Sequence, residues 1–150
     1  MKALTFLRLT AQAAIASIAI TASANETNHV LRIEGKVLSG NPLEGASVTV
    51  LQDGAAFNRL EKGLAQFQMD LPLGHEYRLQ FEVPGTIAKE SVFNTRLPRS
   101  TEAKKDFLFH FQVSLLAQPV DGEQHYSGPV GMIAFNPADN DFGYEHLRDA

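Results

Sequence analysis

Large apolar side chains stand at every second position from residue 107 to residue 115: Phe107, Phe109, Phe111, Val113 and Leu115, separated by Leu108, His110, Gln112 and Ser114. A period of two belongs to the β-strand, whose successive side chains point to opposite faces. Five bulky groups on one face therefore predict a central strand of a buried core. Burying a side chain of this size stabilises by about 1.5–3 kcal/mol, so these five positions anchor whatever the rest of the chain builds. His110, between two phenylalanines, is expected to face water.

Much of the remaining chain reads as short runs of the same period, separated by Gly, Pro, Asn and Asp, which is the pattern of antiparallel strands in a sandwich. Residues 30–37 set Leu31, Ile33 and Val37 against Arg32, Glu34 and Lys36, and the turn at Ser39-Gly40-Asn41-Pro42 ends them. Residues 46–52 alternate Ala46, Val48 and Val50 with Ser47 and Thr49, a β-branched content suited to a half-buried pleat, and Asp53-Gly54 closes the run. Residues 55–63 carry no clear period and are expected to be a loop with a short irregular element. Ala65, Phe67, Met69 and Leu71 mark a third strand, and Tyr77, Leu79, Phe81 and Val83 a fourth. The two are expected to form a hairpin through Pro72-Leu73-Gly74. Residues 89–95 and 130–135 supply two more. The expectation is an all-β, seven-stranded antiparallel β-sandwich over residues 25–135, followed by an acidic tail at 136–150.

The amino end has a different character. Lys2 and Arg8 precede an apolar run from Leu9 to Ile20 that ends in Ala22-Ser23-Ala24, the layout of a secretory signal peptide. The run is short of the roughly 20 mostly apolar residues that span a bilayer. Residues 1–24 are therefore expected to be a signal peptide, the mature chain to begin near Asn25, and the protein to be periplasmic or secreted with no membrane span after cleavage. The chain has no cysteine, which closes the lipoprotein route and excludes disulfides, thiol catalysis and thiolate metal sites. A formal charge of −4 with scattered Lys and Arg gives no basic stripe and argues against nucleic acid. With no tryptophan and three tyrosines, the usual aromatic platforms for sugars are scarce.

The run IEGKVLSGNPLEGASVTVLQ, then Gly63 leading FQMDLPLGHEYRLQF and VPG, resembles the carboxypeptidase-regulatory-like, transthyretin-type (Ig-like) sandwich over about residues 31 to 97. The likeness extends more loosely through Asn94-Thr95-Arg96-Leu97-Pro98 and the stretch ending DNDFGYE to exported proteins of Bacteroidetes-type bacteria. In larger proteins of that family such domains are accessory modules beside peptidases or outer-membrane receptors and carry no catalytic groups. The related hydrolases of purine degradation end in a Tyr-Arg-Gly-Ser-type terminus. This chain reads Leu147-Arg148-Asp149-Ala150, so the resemblance does not carry their activity over.

The residues that could hold chemistry are few. His29, His75, His110, His125 and His146 never fall at i, i+2 or i, i+4, the spacings that place two ligands on one face. Asp139, Asn140, Asp141 and Glu145 gather oxygen ligands as calcium requires, but Gly143 and the closing glutamate do not match an EF-hand loop, and a solvated acidic turn is the expected reading. Ser91, Ser100 and Ser127 lack a Gly-x-Ser-x-Gly context. No metal or cofactor is expected, and the chain is expected not to be an enzyme. Its expected role is an exported non-catalytic module for protein–protein contacts or structural support, with an envelope or outer-membrane protein as partner; the alternative is a small-ligand or carbohydrate-binding domain using the loops at one end of the sandwich. Phe142 and Tyr144, two apart in a polar tail, are candidate partner-docking residues. The tail is expected to be dispensable for the sandwich. It either folds over an exposed sheet edge, is captured by a partner, or frays.

Overall fold

A computed structural model of the chain describes residues 28–101 and 103–145. The expected signal peptide and His146 lie outside the described residues. Among those residues every regular element is a strand: β1 (Val30–Ser39), β2 (Ser47–Gln52), β3 (Ala55–Leu60), β4 (Phe67–Pro72), β5 (Glu76–Glu82), β6 (Lys89–Asn94), β7 (Phe107–Leu115), β8 (Gly131–Asn136) and β9 (Asp141–Tyr144). They form a three-stranded sheet, β4-β1-β7, and a six-stranded sheet, β3-β2-β5-β6-β8-β9. One apolar core, drawn from both sheets, lies between them. Aromatic rings join the layers: Phe81 of β5 stacks on Phe111 of β7, and Phe93 of β6 meets Phe109 and Phe111 edge-on. The fold is all-β and sandwich-like.

Nine strands replace the expected seven. β3 was hidden because its side chains are almost all exposed, so no apolar period marks it. Its origin is the turn before it: Asp53 and Gly54 both take positive φ, 48° and 84°, the type I′ geometry that returns a chain directly into an antiparallel pair. β2 and β3 then pair with a register shift between Val50 and Leu51. β9, in the expected tail, pairs antiparallel with β8, so the six-stranded sheet runs on to Tyr144.

Two ladders are parallel, β1 with β7 and β6 with β8, which corrects the all-antiparallel expectation. The reason is the route of the chain. After β6 it crosses to the other sheet at the end where β1 also begins, so β7 runs the same way as β1. After β7 it crosses back at the opposite end, where β6 begins, and β8 runs with β6. Side-chain alternation is identical in both directions, so the period could not reveal this.

The expected β4–β5 hairpin does not form. β4 pairs with β1, while β5 pairs with β2 and β6. The Pro72-Leu73-Gly74 segment is an arch between sheets. The Leu73 N–H donates to His29 O beside β1, at 3.1 Å, and the Gly74 N–H to Thr95 O beyond β6, at 3.0 Å. The fully buried Tyr77 braces the arch: its hydroxyl donates to Pro72 O at 2.8 Å and accepts from Gln52 Nε2 at 2.9 Å.

β7 has the expected bounds and alternation, with its five large side chains buried. It is nevertheless the outer strand of its sheet, and β1 is the central one. Strict alternation reports burial of one face; it says nothing about whether a strand has one lateral neighbour or two.

Candidate functional site

Charged groups meet at the end of the molecule where β2, β4 and β6 finish. The Asp53 carboxylate accepts the His75 Nδ1–H at 2.6 Å, the Glu76 backbone N–H at 3.0 Å and Arg96 Nη2 at 3.1 Å. These contacts, with the Glu76 N–H foremost and the His75 ring next, hold the Asp53 carboxyl below the ordinary carboxylate range. A carboxylate that orients a histidine is half of the arrangement that activates hydroxyl nucleophiles. The nearby hydroxyl, Thr95, is fully buried and spent on the backbone: it accepts the His75 N–H at 3.1 Å and lies 2.9 and 3.1 Å from the carbonyls of His75 and Pro72. The cluster therefore ties three connections together, the β2–β3 turn, the β4–β5 arch and the exit from β6. A second tie at the same end joins Asp106 to the His29 ring at 3.2 Å and the Val30 N–H at 3.0 Å.

The described histidines are dispersed, each facing one carboxylate: His29 with Asp106, His75 with Asp53, His110 with Glu34 and His125 with Glu123. Among the described residues no three His, Asp or Glu side chains converge as metal ligands. The acidic segment at 139–141 closes the β8–β9 hairpin: Asp139 accepts from Asn136 Nδ2 at 2.8 Å, Asp141 caps the Phe142 N–H at 2.8 Å, and Asn140 takes a positive φ of 50°.

The outer face of the three-stranded sheet carries an open cleft of about 640 Å3. Gln68, Glu34 and His110 face one another across β4, β1 and β7, with Lys36 and Gln112 in the next outward row. His110 is directed to solvent as expected, its side chain 75% exposed.

The expected docking pair divides. Phe142 is 7% exposed and packs edge-on against Phe107 at 5.2 Å and Phe135 at 5.6 Å. The structure thus places it in the core, and the tail contributes to the fold. Tyr144, on the same face of β9, meets Phe109 at 5.5 Å but stays 54% exposed. Partial desolvation raises its phenol pKa. Beside it runs the outer edge of β7, whose nine residues include no proline and no Lys, Arg, Asp or Glu.

The sequence did not foresee the Asp53 cluster, because its partners lie 22 and 43 positions away. The available signals were the Asp-Gly turn and a histidine directly after Gly74. No protein-family model and no curated protein matches the chain. No helix among the described residues is long and apolar enough to cross a membrane.

Proposed function

We propose that the chain is an exported, non-catalytic β-sandwich module of the carboxypeptidase-regulatory-like, transthyretin-type kind, acting in the periplasm or outside the cell through contacts with other proteins. The observation that carries this reading is the corner between β7 and β9. There a long, uncharged strand edge lies beside a half-exposed inward-facing tyrosine, whereas the Asp53, Asp106 and Asp70 carboxylates are engaged in internal ties. Exposed apolar surface next to an open strand edge is what protein partners use. The signal-peptide pattern of residues 1–24 supports export, and the ordered motifs over residues 31 to 97 support the family. The test is cross-linking of the tagged full chain in its native envelope. A reproducible protein adduct is expected.

A second reading, small-ligand or carbohydrate binding, draws on the polar cleft over Glu34, Lys36, Gln68, His110 and Gln112. Retention on polysaccharide, abolished by Lys36→Ala and unaccompanied by any protein adduct, would favour it over the first.

A further inference from the structure

We infer that the outer edge of β7 pairs antiparallel with β7 of a second copy of this chain, joining two three-stranded sheets into one across a two-fold axis. The inference rests on the protein-contact reading above and gives it a place and an occupant.

Open sheets have edges, and natural edges are blunted by charge, proline, bulges or brevity. The terminal strands can be compared on those terms. β3 pairs with a register shift and carries Arg59. β4 carries Asp70, gripped by Arg32 at 2.7 and 3.1 Å, and ends in Pro72. β9 has four residues and opens on Asp141. β7 has nine residues, pairs with β1 without interruption from Phe107 to Leu115, and holds His110 as its sole titratable group. Among the described residues it is the one terminal strand without a protecting device.

The cover over the six-stranded sheet also stops short beside β7. Phe142 and Tyr144 share the inner face of β9, yet Phe142 is buried and Tyr144 is half exposed, its ring lying between Phe109 and Gly131. A strand added next to β7 would lie over that ring.

The sequence of β7 favours itself as that strand. The antiparallel register that overlaps all nine residues centres on Phe111. On the inner face it sets Phe107 opposite the second copy's Leu115, Phe109 opposite the second copy's Val113, and Phe111 opposite its own copy. On the outer face it sets Leu108 opposite Ser114, and His110 opposite Gln112. Every cross-strand pair is then apolar with apolar, or free of like charge. The flanks agree: exposed Lys104 and Lys105 precede β7, exposed Asp121 and Glu123 follow it, and Asp106 is already held by His29 and Val30. Antiparallel pairing therefore brings Lys104 and Lys105 of each copy toward Asp121 and Glu123 of the other. Such an isologous contact closes as a dimer.

The experiment is sedimentation of the mature full chain over a range of concentrations, with two double variants on the exposed outer face. His110→Lys with Gln112→Lys places like charges opposite each other twice in this register. His110→Lys with Gln112→Glu places opposite charges there twice, and within each copy sets Lys beside Glu34 and Glu beside Lys36. The wild type is expected to be a dimer, the first variant a monomer with unchanged melting of the monomer fold, and the second a dimer that salt weakens. A wild-type monomer at every concentration overturns the inference, as does a dimer indifferent to both variants. A monomer that still yields a protein adduct in the envelope overturns this inference alone and leaves the protein-contact reading standing; a β7-dependent dimer with no adduct to any other protein supports it and limits that reading to self-association.

Discussion

The ring of Phe67 lies under Gly35, its neighbour in the β1–β4 ladder, so closely that a Cβ at residue 35 would overlap the ring. Gly35 is inward-facing, and Phe111 flanks it on the other side. The missing side chain is what lets Phe67 lie beneath β1 and reach Phe81, 6.4 Å away between centroids.

Gly35→Ala is therefore expected to destabilise the fold by about 1–3 kcal/mol, the usual cost of overpacking. Phe67→Leu should be destabilising alone yet should offset part of the Gly35→Ala penalty, because the two residues share one space. Chemical denaturation of the four members of the cycle measures this. Strictly additive losses would show that the ring can move aside.

Adjacent positions on β7 should behave oppositely. Phe109 packs against Phe93 and Tyr144, and Phe109→Ala is expected to cost about 3–5 kcal/mol. His110 faces solvent beside Glu34 at 3.3 Å, an exposed pair of the kind that contributes at most about 1 kcal/mol. His110→Ala should leave melting nearly unchanged. Equal effects at the two positions would mean that the faces of β7 are misassigned.

The tail separates in the same way. Phe142→Ala should cost about 3–5 kcal/mol as a buried aromatic, whereas Tyr144→Ala should cost clearly less, because about half of the residue stays in water and the ring makes one aromatic contact. Truncation after Asn136 removes both, together with the β8–β9 ladder, and should lower the melting temperature by more than Phe142→Ala alone. A truncated chain that melts like the full one would show that β9 is only loosely applied to β8.

Period-two alternation made β1, β2, β4, β5 and β7 legible in the sequence, because one face of each carries the large apolar side chains of the core; β6, which buries Ser91, Val92 and Phe93 in succession, and β8 show no such period and were legible only as short apolar runs between turn residues. β3 buries almost nothing, so it left no pattern; the Asp53-Gly54 turn was its one trace. Phe142 and Tyr144 were visible as unusual in a polar tail, but which of them is covered depends on how far the three-stranded sheet extends over β9. Strand direction, sheet membership and the position of β7 at an edge depend on which end of the sandwich each crossing uses, and alternation carries no record of that. The Asp53 cluster was invisible for a related reason: its members share an end of the fold and have nothing in common along the chain.

That cluster makes stability depend on acid. Asp53, Asp106 and Asp70 all have carboxyl pKa values below the ordinary one: Asp53 first through the Glu76 N–H, Asp106 first through the Val30 N–H, and Asp70 first through Arg32. A carboxyl whose pKa is lower in the folded chain binds fewer protons there than in the unfolded chain at acid pH, so protonation draws the equilibrium toward unfolding. Their contribution is fully present above the unfolded carboxylate range, near pH 4, and is lost as pH falls through the folded values. Asp53→Asn keeps a residue that tolerates the positive φ of 48° but removes the charge that holds His75 and Arg96. The variant should therefore be less stable than wild type at neutral pH, and the gap in denaturation midpoint should close as pH drops below about 4. A gap that persists unchanged at acid pH would assign the loss to backbone geometry at the turn, and the ionic tie at this end of the sandwich would then contribute nothing to stability.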